Sequence, residues 1–214
     1  DYWGIRHISK LALEGVIEGV ADGIYSPETS VTQQDVLIMA TRMMGLQSDV
    51  DNFASETVFP DFMLVDKYAR NYVALALQKG LISTEQEKLR SQGTKSVGIW
   101  GQQKATREWV AEVVIRAIGK SALAQSLSNN PTAFTDNKQI SSGAIGFVNA
   151  AVALEIVNGF EDGSFQPKGV VTRAQMAAFL SRSQKDSISL PERSKKGYLT
   201  SLTSGSIGIM DKDG

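Results

Sequence analysis

At three places a threonine stands just ahead of an apolar periodic run and is followed by a polar or cationic residue: Thr32-Gln33, Thr106-Arg107 and Thr172-Arg173. A threonine in that position reads as a helix N-cap, and Asp35 and Gln175, three residues on, complete capping boxes. A helix start exposes N–H groups at the positive end of the dipole, which suits an anion. The arginine beside it, Arg107 or Arg173, adds a planar donor fork that matches a carboxylate. Gln33 offers an amide that hydrogen-bonds without neutralising charge. Asp22-Gly23 and Asp162-Gly163 pair an acceptor with a residue that lets backbone approach closely, while Trp3, Trp100 and Trp109 supply flat apolar faces. Hydrogen bonding combined with apolar stacking suits a carbohydrate.

Composition narrows the alternatives. The chain has 214 residues, with Lys+Arg 22 against Asp+Glu 23, one His and no Cys. This balance carries no basic footprint for nucleic acid and no polybasic membrane patch. Without Cys there are no disulfides, thiolate metal sites or Cys nucleophile, and His7 alone makes no His pair for a metal. No run of eighteen apolar residues predicts a membrane span.

The elements that must position these residues come from a repeat. Trp3–Arg42 laid over Gly143–Arg182 at a constant offset of 140 superposes Gly19, Asp22, Gly23, Pro27, Val31, Thr32 and Arg42 on Gly159, Asp162, Gly163, Pro167, Val171, Thr172 and Arg182. Each segment predicts an apolar helix, a Gly- and Asp-containing loop, and a second apolar helix opened by Thr. A third copy lies between them. Its first helix is predicted from Tyr68 towards Gly80 and its second from Thr106, and an arginine follows Thr by ten positions in all three: Arg42, Arg116 and Arg182. Against the first copy its offset rises from 65 to 74, so the stretch of about 83–105 carries about nine extra residues. Gly15, Gly45, Gly80 and Gly119 are placed as left-handed helix ends. The copies span 1–50, 58–127 and 132–183; 184–214 reads as a linker into a following segment, with short strands at Tyr198-Leu199-Thr200 and Ile207-Gly208-Ile209.

The third copy runs Phe134-Thr135-Asp136, then Gly159-Phe160-Glu161-Asp162-Gly163-Ser164-Phe165-Gln166-Pro167, then Val171-Thr172-Arg173-Ala174-Gln175. This pattern resembles the S-layer homology (SLH) module, and the resemblance extends over roughly residues 1–183. The first copy lacks the Phe-x-Asp opening, so the sequence is expected to start within it. The resemblance implies a mainly all-α fold: three tandem helix-loop-helix repeats in a pseudo-threefold, three-pronged assembly around a central three-helix bundle made by the first helices. It implies grooves between prongs that bind the pyruvylated secondary polysaccharide of Gram-positive cell walls, with a terminal pyruvylated N-acetylmannosamine. The pyruvate ketal then supplies the carboxylate for Arg107 and Arg173, with Thr106, Thr172, Gln33, Asp22, Asp162, Gly23, Gly163, Gln175, Trp109 and Trp3 as further glycan contacts. The implied role is extracellular, non-covalent anchoring of a surface protein at the wall, without catalysis, cofactor, metal, nucleic acid or membrane insertion. Self-association into an S-layer lattice would belong to the rest of the protein.

Plainer readings stand beside these. The threonines are N-caps whatever else they do, and Asp22-Gly23 and Asp162-Gly163 also read as turns. Arg42, Arg116 and Arg182 read as structural, complementing helix C-terminal dipoles. Trp3 reads as a first-helix core residue, and His7 as a solvated or partly buried one. An EF-hand register with Gly163 at the sixth position puts Phe160 and Gly169 where oxygen ligands belong, which rules it out. Two other classes remain: a carbohydrate-active enzyme using Glu108, Glu161 or Asp162, and a protein-binding helical scaffold without glycan affinity. The missing Arg at Gln33 predicts unequal grooves.

Overall fold

In a computed structural model the three capping threonines are each followed by an eleven-residue helix. The structure describes residues 2–21, 23–53, 58–92 and 99–187, together with the backbone of 198–203 and 206–210. Asp22 and most of the expected linker lie outside the described residues. The helices run α1 (Ile5–Leu13), α2 (Gln33–Met43), α3 (Gln47–Asp51), α4 (Arg70–Gln78), α5 (Thr84–Gln92), α6 (Arg107–Ala117), α7 (Ser121–Ser126), α8 (Ile145–Ala153) and α9 (Arg173–Ser183). The chain is mainly helical. The strands expected near the C-terminus form one antiparallel hairpin, β1 (Tyr198–Thr203) and β2 (Ser206–Met210). Among the described residues no helix is long and apolar enough to cross a membrane.

The helix ends follow the local sequence. Thr32 and Thr172 accept from the N–H of Asp35 and Gln175, whose side chains accept in return from the cap N–H, so both capping boxes form. Thr106 makes no such bond, and Trp109 stands where the reciprocating acid would be. Gly15, Gly45, Gly80 and Gly119 end their helices with φ between 68° and 77°.

The centre of the molecule differs from the arrangement implied by the resemblance. The second helices, α2, α6 and α9, meet one another, and the first helices pack outside them: α4 on α2, α8 on α6 and α1 on α9. Burial explains this. On α6 ten of eleven residues are buried, whereas α1 buries only Ile8 and Leu11 of its nine. A helix apolar on one stripe covers a core, while one buried all round must sit inside it. Each outer helix therefore rests on the second helix of the preceding copy, and α1 closes the circle on α9.

Backbone hydrogen bonds close the same circle. Val31 N–H donates to Val171 C=O at 2.9 Å, Val171 N–H to Ala105 C=O at 3.0 Å, and Ala105 N–H to Val31 C=O at 3.0 Å. These residues stand immediately ahead of the three capping threonines' helices, so the ring gathers the three helix starts around one point. Side chains at the second helical position tie in the next outer helix. Gln34 bonds the Asp66 carboxylate at 2.7 Å, and the Glu108 carboxylate accepts from Ser141 N–H at 3.0 Å and Oγ at 2.9 Å.

Candidate functional site

The helix starts are not open anion sites. Gln33, Arg107 and Arg173 donate their backbone N–H to Gln103, Gly169 and Thr29 C=O at 2.8–2.9 Å. Glu108 and Ala174 donate theirs to Pro167 and Pro27 C=O at 3.1 and 2.9 Å. Each donor reaches a neighbouring loop, and with the capping bonds this satisfies most of the first-turn N–H groups. The expectation of outward-facing N–H groups fails because the ring packs loops against them.

The arginine side chains leave the helix starts by a different route. Arg173 is buried, with its guanidinium 4.4 Å from the Tyr25 ring centroid, Nε donating to Tyr25 C=O at 2.9 Å and Nη2 to Glu18 C=O. Tyr25 Oη donates back to Arg173 C=O at 3.0 Å. Burial pushes the Tyr25 hydroxyl up to about 12, against the pull of Arg173. Arg173 thus grips the loop of the first copy, at the edge of a groove of about 570 Å³ along α2. Its walls include Glu18, Asp35, Arg42, Tyr68 and Tyr72. Arg42 pairs with Glu18 at 3.1 Å and lies over the Tyr72 ring, so the residue read as purely structural lines the groove. The groove carries acceptors, donors and two phenol faces, and its charges are of both signs.

The α9 face is built from the corresponding residues with one difference in kind. Arg107 is 7% exposed, its guanidinium 4.9, 5.0 and 5.1 Å from the Phe160, Phe165 and Phe179 ring centroids. One Nη donates to Asn158 C=O, and the buried Nε has no hydrogen-bond partner. Burial first, then the charge of Arg182, lowers the Arg107 guanidinium to about 10. Arg182 also faces His7, which burial, Arg182 and Lys10 hold below the usual imidazole range. Asn158 and Gln175 stand where the α2 groove has Glu18 and Asp35. Among the described residues Arg107 and Arg182 therefore meet no carboxylate within ion-pair distance. Trp3 is 55% exposed ahead of α1, with its ring 5.8 Å from that of Tyr2, which corrects its assignment to the core.

On the α6 face the equivalent positions are engaged by the chain itself. Trp109 Nε1 donates to Glu87 at 2.9 Å and Trp100 Nε1 to the same carboxylate at 3.2 Å. Arg90 bridges Glu87 and Glu112, and Arg116 pairs with Glu112 at 2.6 Å and donates to Gln86 at 2.8 Å. Burial lifts the Glu112 carboxyl above its usual range against the pull of both arginines. Burial opposes the Arg90 charge, but Glu112 and Glu87 hold that guanidinium above its ordinary value. Trp100 and Trp109 are both buried, so neither presents a face for stacking.

The remaining sequence candidates occupy turns and contacts within the chain. Asp162 accepts from Ser164 N–H at 2.9 Å and Oγ at 2.6 Å, bonds that hold its carboxyl below the usual range. Gly23 and Gly163 take φ of 71° and 76°, which the loop requires. Glu108 is held by Ser141 and Lys168. Gln33 is buried at the start of α2, its Oε1 without a partner. Among the described residues no group of three or more His, Asp or Glu is placed to hold a metal. Groove-lining residues not assigned from sequence are Tyr68, Tyr72 and Arg42; the recurrent ten-residue Thr–Arg spacing was a signal for Arg42 alone.

Residues 133–177 match the family described as "S-layer homology domain". The chain is 28% identical over 180 residues to "Exoglucanase XynX" of Acetivibrio thermocellus, covering 84% of this chain and 15% of that protein. It is 29% identical over 180 residues to "Amylopullulanase" of Thermoanaerobacterium thermosulfurigenes, covering 84% of this chain and 9% of the relative. It is 25% identical over 186 residues to "S-layer protein" of Bacillus thuringiensis subsp. finitimus, covering 86% of this chain and 20% of the relative. The chain thus spans a fifth or less of the length of these relatives.

Proposed function

We propose that this chain, whose residues 133–177 match the S-layer homology domain, attaches its protein to the bacterial wall by binding a pyruvylated secondary polysaccharide. The reading takes the copies at 1–50, 58–127 and 132–183 as three such modules sharing one core. The observation that carries it is the pair Arg107 and Arg182, which sense each other's charge and have no carboxylate within ion-pair distance among the described residues. Like charges in a partly dehydrated setting favour a bound anion as counter-charge. A ketal carboxylate on a sugar is such an anion, and the exposed Trp3 ring and half-exposed Phe160 suit the sugar's apolar face.

The α2 groove suits the neighbouring, uncharged part of the polymer. Glu18 and Asp35 accept from hydroxyls, Arg42 and Arg173 donate, and Tyr68 and Tyr72 provide apolar surface. Binding proceeds without turnover in this reading, since Glu108 is held by Ser141 and Lys168 and Asp162 by Ser164. The test is equilibrium binding to purified wall polymer before and after mild-acid removal of its pyruvyl groups. Loss of one charge-assisted pair predicts affinity lower by about 10- to 100-fold after removal. Equal affinity for both preparations overturns the assignment.

A further inference from the structure

The α6 face is the counterpart of the α2 groove, and its fate is different. In the α2 groove Asp35, Ile38 and Arg42 line open space. Their counterparts on α6 are Trp109, Glu112 and Arg116. Each of these is met by a side chain of α5: Trp109 by Glu87, Glu112 by Arg90 and Arg116 by Gln86. Helix α5 lies within the stretch that gives the second copy its extra length, so the other copies have no counterpart to it.

We infer that α5 is a built-in occupant of the α6 groove, closing it to any external ligand. The polar groups on this face are satisfied from within. Glu87 is 1% exposed and accepts from two indole N–H groups, while Arg90 and Arg116 together neutralise Glu112. A ligand entering here would have to break a buried ion pair and leave its members uncompensated, which costs far more than a sugar hydroxyl returns. The edge-on Trp100–Trp109 pair, with centroids 6.5 Å apart, fills the apolar part of the same space. Gln33 borders this face by its place in the repeat, so the missing arginine and the filled groove coincide. The inference rests on the wall-binding reading only for its consequence, which is that polymer is held through the α2 and α9 faces alone.

The three tryptophans separate the two questions. Trp3→Phe removes the exposed indole and leaves Trp100 and Trp109 as the only reporters, both beneath α5. Acrylamide quenching of this variant is expected to be several-fold weaker than that of free indole. Quenching as strong as free indole would mean that α5 is not seated, and would overturn the closure. Isothermal titration of the native chain with pyruvylated N-acetylmannosamine should then saturate at no more than two ligands per chain. Three ligands per chain, or a shift in Trp100/Trp109 emission at saturation, also overturns it. No heat at any concentration counts against wall binding instead, and the quenching result still decides whether α5 closes the face.

Discussion

The α6 and α9 faces start from the same repeat and reach opposite electrostatic ends. Both present an arginine near the helix C-terminus, over the Phe147 ring for Arg116 and towards His7 for Arg182. On α6 the chain supplies Glu112 and Glu87, and every charge finds a partner. On α9 the corresponding positions are Ala178 and a short loop, and Arg107 and Arg182, which sense each other's charge, have no carboxylate within ion-pair distance among the described residues. A tandem repeat thus varies function without varying its frame: an insertion fills one groove, and a few side-chain changes leave another cationic. The filled face meets its charges from within, and the cationic face leaves two arginines without a carboxylate in ion-pair distance among the described residues.

Breaking the α6 network is the largest expected effect. Glu112→Ala leaves Arg90 and Arg116 without their shared counter-charge and should lower stability by about 3–5 kcal/mol, a fall in Tm of roughly 10 °C. Arg182→Ala on α9 should cost about 1 kcal/mol or less. Thermal unfolding followed by circular dichroism compares the two, and equal falls would erase the distinction.

Polymer affinity should reverse that order. Arg107→Ala is expected to weaken binding of purified pyruvylated polymer by about 10- to 100-fold. Gln33→Ala, beside the filled face, should leave it within about twofold. Matched losses from the two substitutions would refute the inequality of the faces.

His7 reports the α9 face directly, being the one histidine of the chain. Burial, with Arg182 and Lys10, sets its folded pKa below the ordinary 6.5. The sign follows: the unfolded chain takes up the proton first, so stability is lost as pH falls from about 6.5 through the folded value. Its imidazole NMR titration should have a midpoint below 6.5, rising in Arg182→Gln and rising again with bound polymer. A midpoint unmoved by Arg182→Gln would remove the cationic pairing from this face.

The smallest difference lies at the caps. Thr172→Ala and Thr32→Ala each break a capping box and should cost about 1 kcal/mol, while Thr106→Ala, which loses no capping bond, should cost a few tenths. Urea denaturation resolves the two classes, and a Thr106→Ala cost equal to the others would show that α6 is capped in solution.

Much of the frame is legible in the residues themselves. Capping threonines, C-terminal glycines and the loop prolines act over a few residues, so helix bounds and repeat register follow from local chemistry. The short strands read at Tyr198-Leu199-Thr200 and Ile207-Gly208-Ile209 lie within β1 and β2. The site was less legible. Arg42 reads as a dipole partner, but α4 brings Tyr72 beneath it; Trp100 reads as a flat face for stacking, but it is buried with its N–H donated to Glu87. Neither contact has a signature at short range.

By itself the sequence determined three copies, their helix starts and the residues that recur, because those properties depend on neighbours along the chain. Only the tertiary structure decided which helices are central, which arginines keep an unmet donor and which groove α5 fills. Those depend on a ring closed between Val31, Ala105 and Val171, residues far apart in sequence, and on charges that become costly or useful only when burial removes their water.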